Sequence, residues 1–185
     1  METLRPKQAE RHGMSKSGLY RAARSGDYER IARGLYRPAE APLVDWEWIE
    51  AANRRPDATI CLTSALAHWD LTDAIPDALD VAIPRGSRIP QTAAAIRWHS
   101  FARDTFAIGR EEIQIPGSGE MIGVYSPERT IIDAFRLRGD LGYELGRDAL
   151  RAWMRRGGGP AQLMSLANQI PRAKTPLLNA LEAFG

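Results

Sequence analysis

Residues 14–38, MSKSGLYRAARSGDYERIARGLYRP, read as a short basic helix followed at once by a tight basic hairpin. A unit this small that spends so many positions on charge cannot make much core by itself, so it has to lean on the rest of the chain. Ser15 is placed to cap a helix over 15–25, which Ser25-Gly26 stops. Leu19, Ala22 and Ala23 recur at helical spacing and face inward, while Lys16, Ser17, Tyr20, Arg21 and Arg24 fall on the other side. Residues 28–32 and 35–38 form two strands across Arg33-Gly34, where the glycine supplies the positive φ of a turn. Upstream, residues 4–12 suit a further short helix, with Pro6 in its first turn and Gly13 as a left-handed cap. Gly13-Met14 is then a tight connection of helix-turn-helix type. Helix, helix, hairpin is a winged helix in compressed form.

Charge separates this segment from the remainder. Residues 1–38 contain nine lysines or arginines and four acids, whereas the other 147 residues contain sixteen and nineteen. The net charge of +2 therefore hides a basic end on a mildly acidic body. Such clustering speaks about partners and encounter rates, and it favours a polyanion at the N-terminal end.

The rest of the chain reads as α+β. Residues 39–43 make a proline-flanked linker, which divides a DNA-binding module (1–38) from a larger C-terminal domain (44–185). Helices are expected over 44–55 and, capped by Thr63, over 63–70. Strands follow over 79–83, 95–100, 111–115 and 120–125, forming a central, mainly antiparallel sheet. From Ser126-Pro127, an N-cap with proline in the first turn, helices cover 127–138, 142–156, 160–170 and 174–184, broken at Gly139, at Gly157–Gly159 and at Pro171. No apolar run approaches the roughly 20 residues that span a bilayer. The polar N-terminus is no signal peptide and one cysteine, Cys61, makes no internal disulfide, so a cytoplasmic setting is expected.

Catalytic and metal chemistry find little footing, and no cofactor is expected. His12, His68 and His99 lie far apart and share no ligand spacing with Cys61. His68, beside Trp69, reads as a packed histidine. Gly117-Ser118-Gly119 lacks the Lys-Ser/Thr of a phosphate loop and suits a hairpin turn. Asp77 and Asp80 at the start of a strand suggest a nuclease, but the next strand carries Ile96-Arg97-Trp98-His99 in place of an acid and lysine. The five tryptophans, spread over separate elements, read as core anchors.

Three basic sites remain, each with a plain alternative. Lys16, Ser17, Tyr20, Arg21 and Arg24 suit a DNA groove, with Arg30, Arg33 and Arg37 on phosphates, or else form a solvated face. Arg85 and Arg88, in the loop Pro84–Arg88 with Arg97 nearby, are either a phosphate contact or an ordinary turn. Arg147, Arg151 and Arg155, four residues apart, are either a solvated stripe or a second contact with nucleic acid or an acidic partner.

Residues 12–38 and 61–134 together are similar to the AbiEi antitoxins of type IV toxin–antitoxin systems. The residues that carry the likeness are Met14-Ser15 to Arg33-Gly34-Leu35-Tyr36, Leu62-Thr63-Ser64-Ala65-Leu66 with Trp69, the strand from Asp80 to Pro84, Ile96–His99, and Ser126-Pro127-Glu128-Arg129-Thr130 before Asp133. The resemblance implies a non-enzymatic repressor that binds inverted repeats in double-stranded DNA upstream of its own operon. It also implies a partner toxin of nucleotidyltransferase-like class, countered directly or indirectly, and either a monomer in solution or two copies on DNA. No catalytic residue carries over. With only about 38 residues before the linker, the first helix of a full winged helix is shortened or missing. Two other roles stay open: a stand-alone regulator, and a toxin-binding module with little DNA specificity.

Overall fold

The computed structural model describes residues 4, 6, 7, 9, 13–32, 34–39 and 45–183. At the N-terminal end, helix α1 (Lys16–Ser25) is followed by strands β1 (Tyr28–Ala32) and β2 (Leu35–Pro38), which pair antiparallel from Tyr28 opposite Pro38 to Ala32 opposite Leu35. Ser15 caps α1 by accepting from the Gly18 N–H at 3.0 Å. Gly26 closes it at φ 91°, a left-handed conformation that a side chain would strain. The Asp27 N–H then reaches back to the Ala22 carbonyl, which completes the cap.

Of the helix predicted over 4–12, residues 5, 8 and 10–12, His12 among them, lie outside the described residues, and Leu4 is not helical. Leu4 exchanges two backbone hydrogen bonds with Tyr36, at 2.7 and 3.0 Å, and so lies as a bridge beside β2. Its side chain explains why: Leu4 is buried with Ala9, Leu19 and Tyr36 in a small cluster of its own. Gly13 takes the expected left-handed conformation. Most of the linker predicted over 39–43 lies outside the described residues, although the Ala39 N–H still bonds to the Asp27 carbonyl.

From residue 46 onward come α2 (Trp46–Arg54), β3 (Thr59–Ile60), α3 (Leu62–His68), β4 (Leu79–Pro84), β5 (Ile96–Phe101), β6 (Arg110–Gln114) and β7 (Met121–Tyr125). Helices α4 (Pro127–Arg136), α5 (Arg138–Leu141), α6 (Tyr143–Arg155), α7 (Pro160–Ala167) and α8 (Lys174–Glu182) complete an α+β fold. The five-stranded sheet has the order β5-β4-β3-β7-β6.

That sheet is mixed, which corrects the mainly antiparallel expectation. The pairs β3–β4 and β6–β7 are antiparallel, but β4–β5 and β3–β7 are parallel. Pro84-Arg85-Gly86 resembles a hairpin turn, yet residues 85–95 carry the chain back to the starting end before β5 begins. A parallel partner requires such a return. The sequence reading has no β3 at all: two residues in Pro56–Leu62 are too few to show a period, although they hold the middle of the sheet. Thr63 is also not the cap of α3, since Cys61 takes that place with no side-chain bond. Gly139 lies within α5, and the breaks fall at Leu137, before α5, and at Gly142, after it.

Strand alternation sorts the core. Ile60, Leu79, Val81, Ile122 and Val124 face α2, where they meet Ile49 and Ala51. Ala82, Phe101 and Tyr125 turn to the opposite face, joined by Phe106 and Cys61. The C-terminal helices pack around Ile131, Phe135, Leu150, Trp153, Leu163 and Leu177. Of the five tryptophans only Trp153 is fully buried, and the others are half-buried anchors. Trp69 donates to the Tyr125 carbonyl at 2.7 Å.

Candidate nucleic-acid interface

Helix α1 has one buried residue, Leu19, and carries no acid anywhere along its length. Burying Leu19 against Tyr36 and Leu4 fixes the roll of the helix. Lys16, Ser17, Tyr20, Arg21 and Arg24 are consequently all exposed. Tyr20 stays 40% exposed and packs edge-to-face on Tyr36, with ring centroids 5.9 Å apart. Its contact ties the helix to the hairpin. Ser17 shares a hydrogen bond with the Ser15 hydroxyl at 3.1 Å, so it supports the cap as well as the exposed face.

The hairpin divides its cations. Arg30 is exposed. Arg33 lies outside the described residues. Arg37 stands directly opposite Glu29 and donates to its carboxylate through Nε at 3.0 Å and Nη2 at 2.7 Å. The Arg37 side chain is 17% exposed and that of Glu29 58%, so the two form a cross-strand ion pair on the hairpin. The pairing was available to sequence reasoning, because a turn at residues 33–34 puts 29 opposite 37.

Arg85 and Arg88 are exposed on a turn in which the Ser87 N–H bonds to the Pro84 carbonyl at 3.0 Å. Arg97 is not near them. In the parallel register it lies beside Asp80 and binds Asp77 at 2.9 Å and Asp80 at 3.4 Å. Arg103 takes its place, donating to the Arg85 carbonyl at 2.8 Å. Nothing in the sequence spacing marks Arg103, since the loop after β5 brings it there.

On α6 the stripe Arg147, Arg151 and Arg155 runs outside the buried line of Gly146, Ala149, Leu150 and Trp153. Asp148 interrupts its charge, binding Arg147 at 3.2 Å and Arg151 at 3.7 Å. This arrangement is what a solvated face looks like.

The acids at the start of β4 are occupied. Asp80 is buried and accepts from Arg97, and its Oδ1 lies 2.8 Å from His99 Nε2. Arg97 lowers the pKa of the Asp77 carboxyl through its hydrogen bond and its charge. Among the described residues no group of three or more His, Cys, Asp or Glu is placed to hold a metal. Gly117–Gly119 forms the turn between β6 and β7, with the Ile115 N–H bonded to the Glu120 carbonyl. His68 corrects the packed reading: it is exposed on one side, with Trp48 and Trp69 against its ring at 5.3 and 4.7 Å. Among the described residues no helix is long and apolar enough to cross a membrane.

Residues 1–39 match the family model described as transcriptional regulator, AbiEi antitoxin. The matched stretch includes the exposed basic helix with its hairpin, and it ends one residue after β2. The whole chain is similar in fold to the RV2827C protein from Mycobacterium tuberculosis, whose crystal structure superposes with a TM-score of 0.54 at 15% identity, over 98% of this chain and 90% of that one. No curated protein matches the chain.

Proposed function

We propose that this chain is a DNA-binding transcriptional regulator in which residues 1–38 act as a reduced winged helix. Helix α1 enters the major groove and the hairpin lies on the flanking backbone. Residues 39–43 act as a linker, and 44–185 as the antitoxin domain. The observation that carries this reading is the coincidence of the regulator match over residues 1–39 with the segment whose outer helix face is wholly basic and polar. Arg21 and Arg24 are the base-reading candidates, because a guanidinium pairs bidentately with guanine. Lys16, Arg30 and Arg33 supply affinity that does not depend on sequence.

The same reading makes the protein a repressor of its own operon, bound through inverted repeats by two copies. The body then counters a nucleotidyltransferase-like toxin encoded beside it. The mildly acidic charge of residues 39–185 supports a division of labour in which DNA is held mainly at the basic end. The test is binding of the full chain to duplex DNA from upstream of its gene across a salt series. Three cations, Lys16, Arg30 and Arg33, are assigned to phosphates, so the log–log salt slope should be about −3. Binding that is insensitive to salt, or equal on a scrambled duplex, defeats the proposal.

A further inference from the structure

The C-terminal helices line a half-open surface cavity of about 470 Å³. Arg136 comes from the end of α4, Arg138 from α5 and Tyr143 from α6, while Arg172, Thr175 and Asn179 come from the opposite side, before and along α8. Two stretches some thirty residues apart thus bring three guanidinium groups to one hollow, and among the described residues no carboxylate lines it. Its volume is that of a small-molecule site.

The three arginines are not equivalent. Arg136 is held by Asp133 at 2.9 Å and lies over the Phe101 ring at 5.2 Å, so it is fixed in place with its charge partly answered. Arg138 donates only to the Phe135 carbonyl, at 3.1 Å. Arg172 is exposed, makes no ion pair among the described residues, and is held at φ 64°. Arg138 and Arg172 therefore bring uncompensated positive charge to the cavity.

Tyr143 adds a ring that is 40% exposed and braced edge-to-face on Phe135 at 5.8 Å. Thr175 and Asn179, one helical turn apart, add a hydroxyl and an amide. Forked cations bind phosphate, a braced ring stacks a base, and the amide can pair with a base edge.

The geometry points to a binding site for a nucleoside phosphate, supplied either as a free mononucleotide or as the 5′ end of a strand. Arg138 and Arg172 take the phosphate, and Tyr143 takes the base. The site is separate from α1 and does not depend on the DNA-binding proposal.

Calorimetry on the full chain tests it, with adenosine and cytidine 5′-monophosphates, a 5′-phosphorylated single-stranded tetramer, and the unphosphorylated nucleosides as probes. A phosphorylated probe should bind and its nucleoside should not. Arg138→Glu and Arg172→Gly should each weaken binding by about tenfold or more, as loss of a charge-assisted contact implies. Arg172→Gly also relieves the left-handed backbone, so lost binding cannot be put down to misfolding. Tyr143→Ala should weaken nucleotides more than inorganic phosphate. Arg21→Ala with Arg24→Ala should leave these affinities unchanged. Whichever phosphorylated probe binds tighter names the source. Failure of both to bind, or binding unchanged in both arginine variants, overturns the proposal. So does a site that takes duplex DNA and neither probe.

Discussion

Arg129 and Asp133 stand one turn apart on α4, each 1% exposed, with the guanidinium Nε 2.8 Å from the carboxylate. The same guanidinium donates to the carbonyls of Thr105 and Ile108 and lies 4.3 Å over the Tyr125 ring. A side chain that belongs on the surface thus pins the loop 102–109 to α4 across the sheet face. Removing it leaves Asp133 with Arg136 alone and two carbonyls without their donor. Arg129→Ala should destabilise the fold by about 3–5 kcal/mol, the range for breaking a buried pair from one side. Chemical denaturation measures it, and a loss under about 1 kcal/mol would assign the pair a surface-like value.

Gly109 depends on the same clamp. It sits at φ 68°, and a Cβ there would lie 2.7 Å from the Arg129 Cβ. Gly109→Ala adds left-handed strain to an overlap with a side chain that cannot move away, and should cost about 2–4 kcal/mol. The same substitution at exposed Gly139, where nothing lies within 4 Å and φ is not positive, should be neutral or stabilising in a parallel melt.

Burial pushes the Cys61 thiol well above its ordinary range, and the charges of Asp80 and Asp133 add to the effect. The reactive thiolate is therefore suppressed as well as inaccessible. A thiol-specific disulfide reagent should label the native protein only at its unfolding rate. Labelling within the mixing time would show the pocket to be open.

Partial burial lowers the His68 pKa below its ordinary 6.5, against a smaller opposing pull from Asp45. A depressed folded pKa means that the unfolded chain takes up the proton first. The contribution is complete above about pH 6.5 and is lost as pH falls through the lower folded value. A proton NMR titration should place the His68 midpoint below 6.5, and His68→Gln should flatten the stability profile over that window. A midpoint above 6.5 would mean that Asp45 dominates.

How far the sequence reached depended on how local each signal was. Ser126-Pro127 and Ser15 announced α4 and α1 because a cap is a contact within one turn, and both caps form. The α+β class and the four longer strands of the central sheet were legible from composition and alternation. The parallel pairing of β4 with β5 was not, since it depends on where residues 85–95 travel. Two residues of β3 carried no period. Burial of Arg129 ran against the habits of its residue type, and only its partners explain it. At the interface the exposed face of α1 followed from Leu19, but the commitment of Arg37 to Glu29 and the arrival of Arg103 beside Arg85 belong to cross-strand and loop geometry.

In the function proposed above, α1 reads DNA through Arg21 and Arg24. This reading is tested most directly by the double variant Arg21→Ala, Arg24→Ala in a gel shift on the upstream duplex, beside Arg147→Ala, Arg151→Ala. Arg21, Arg24 and Arg151 are exposed and Arg147 is half-buried, all on helices, so a melt of each variant beside the parent separates lost binding from lost fold. The first variant should lose specific binding by about 2–6 kcal/mol, two base contacts' worth, and the second should bind nearly as the parent does. Unchanged binding by a folded first variant, or a larger loss in the second, would contradict the account.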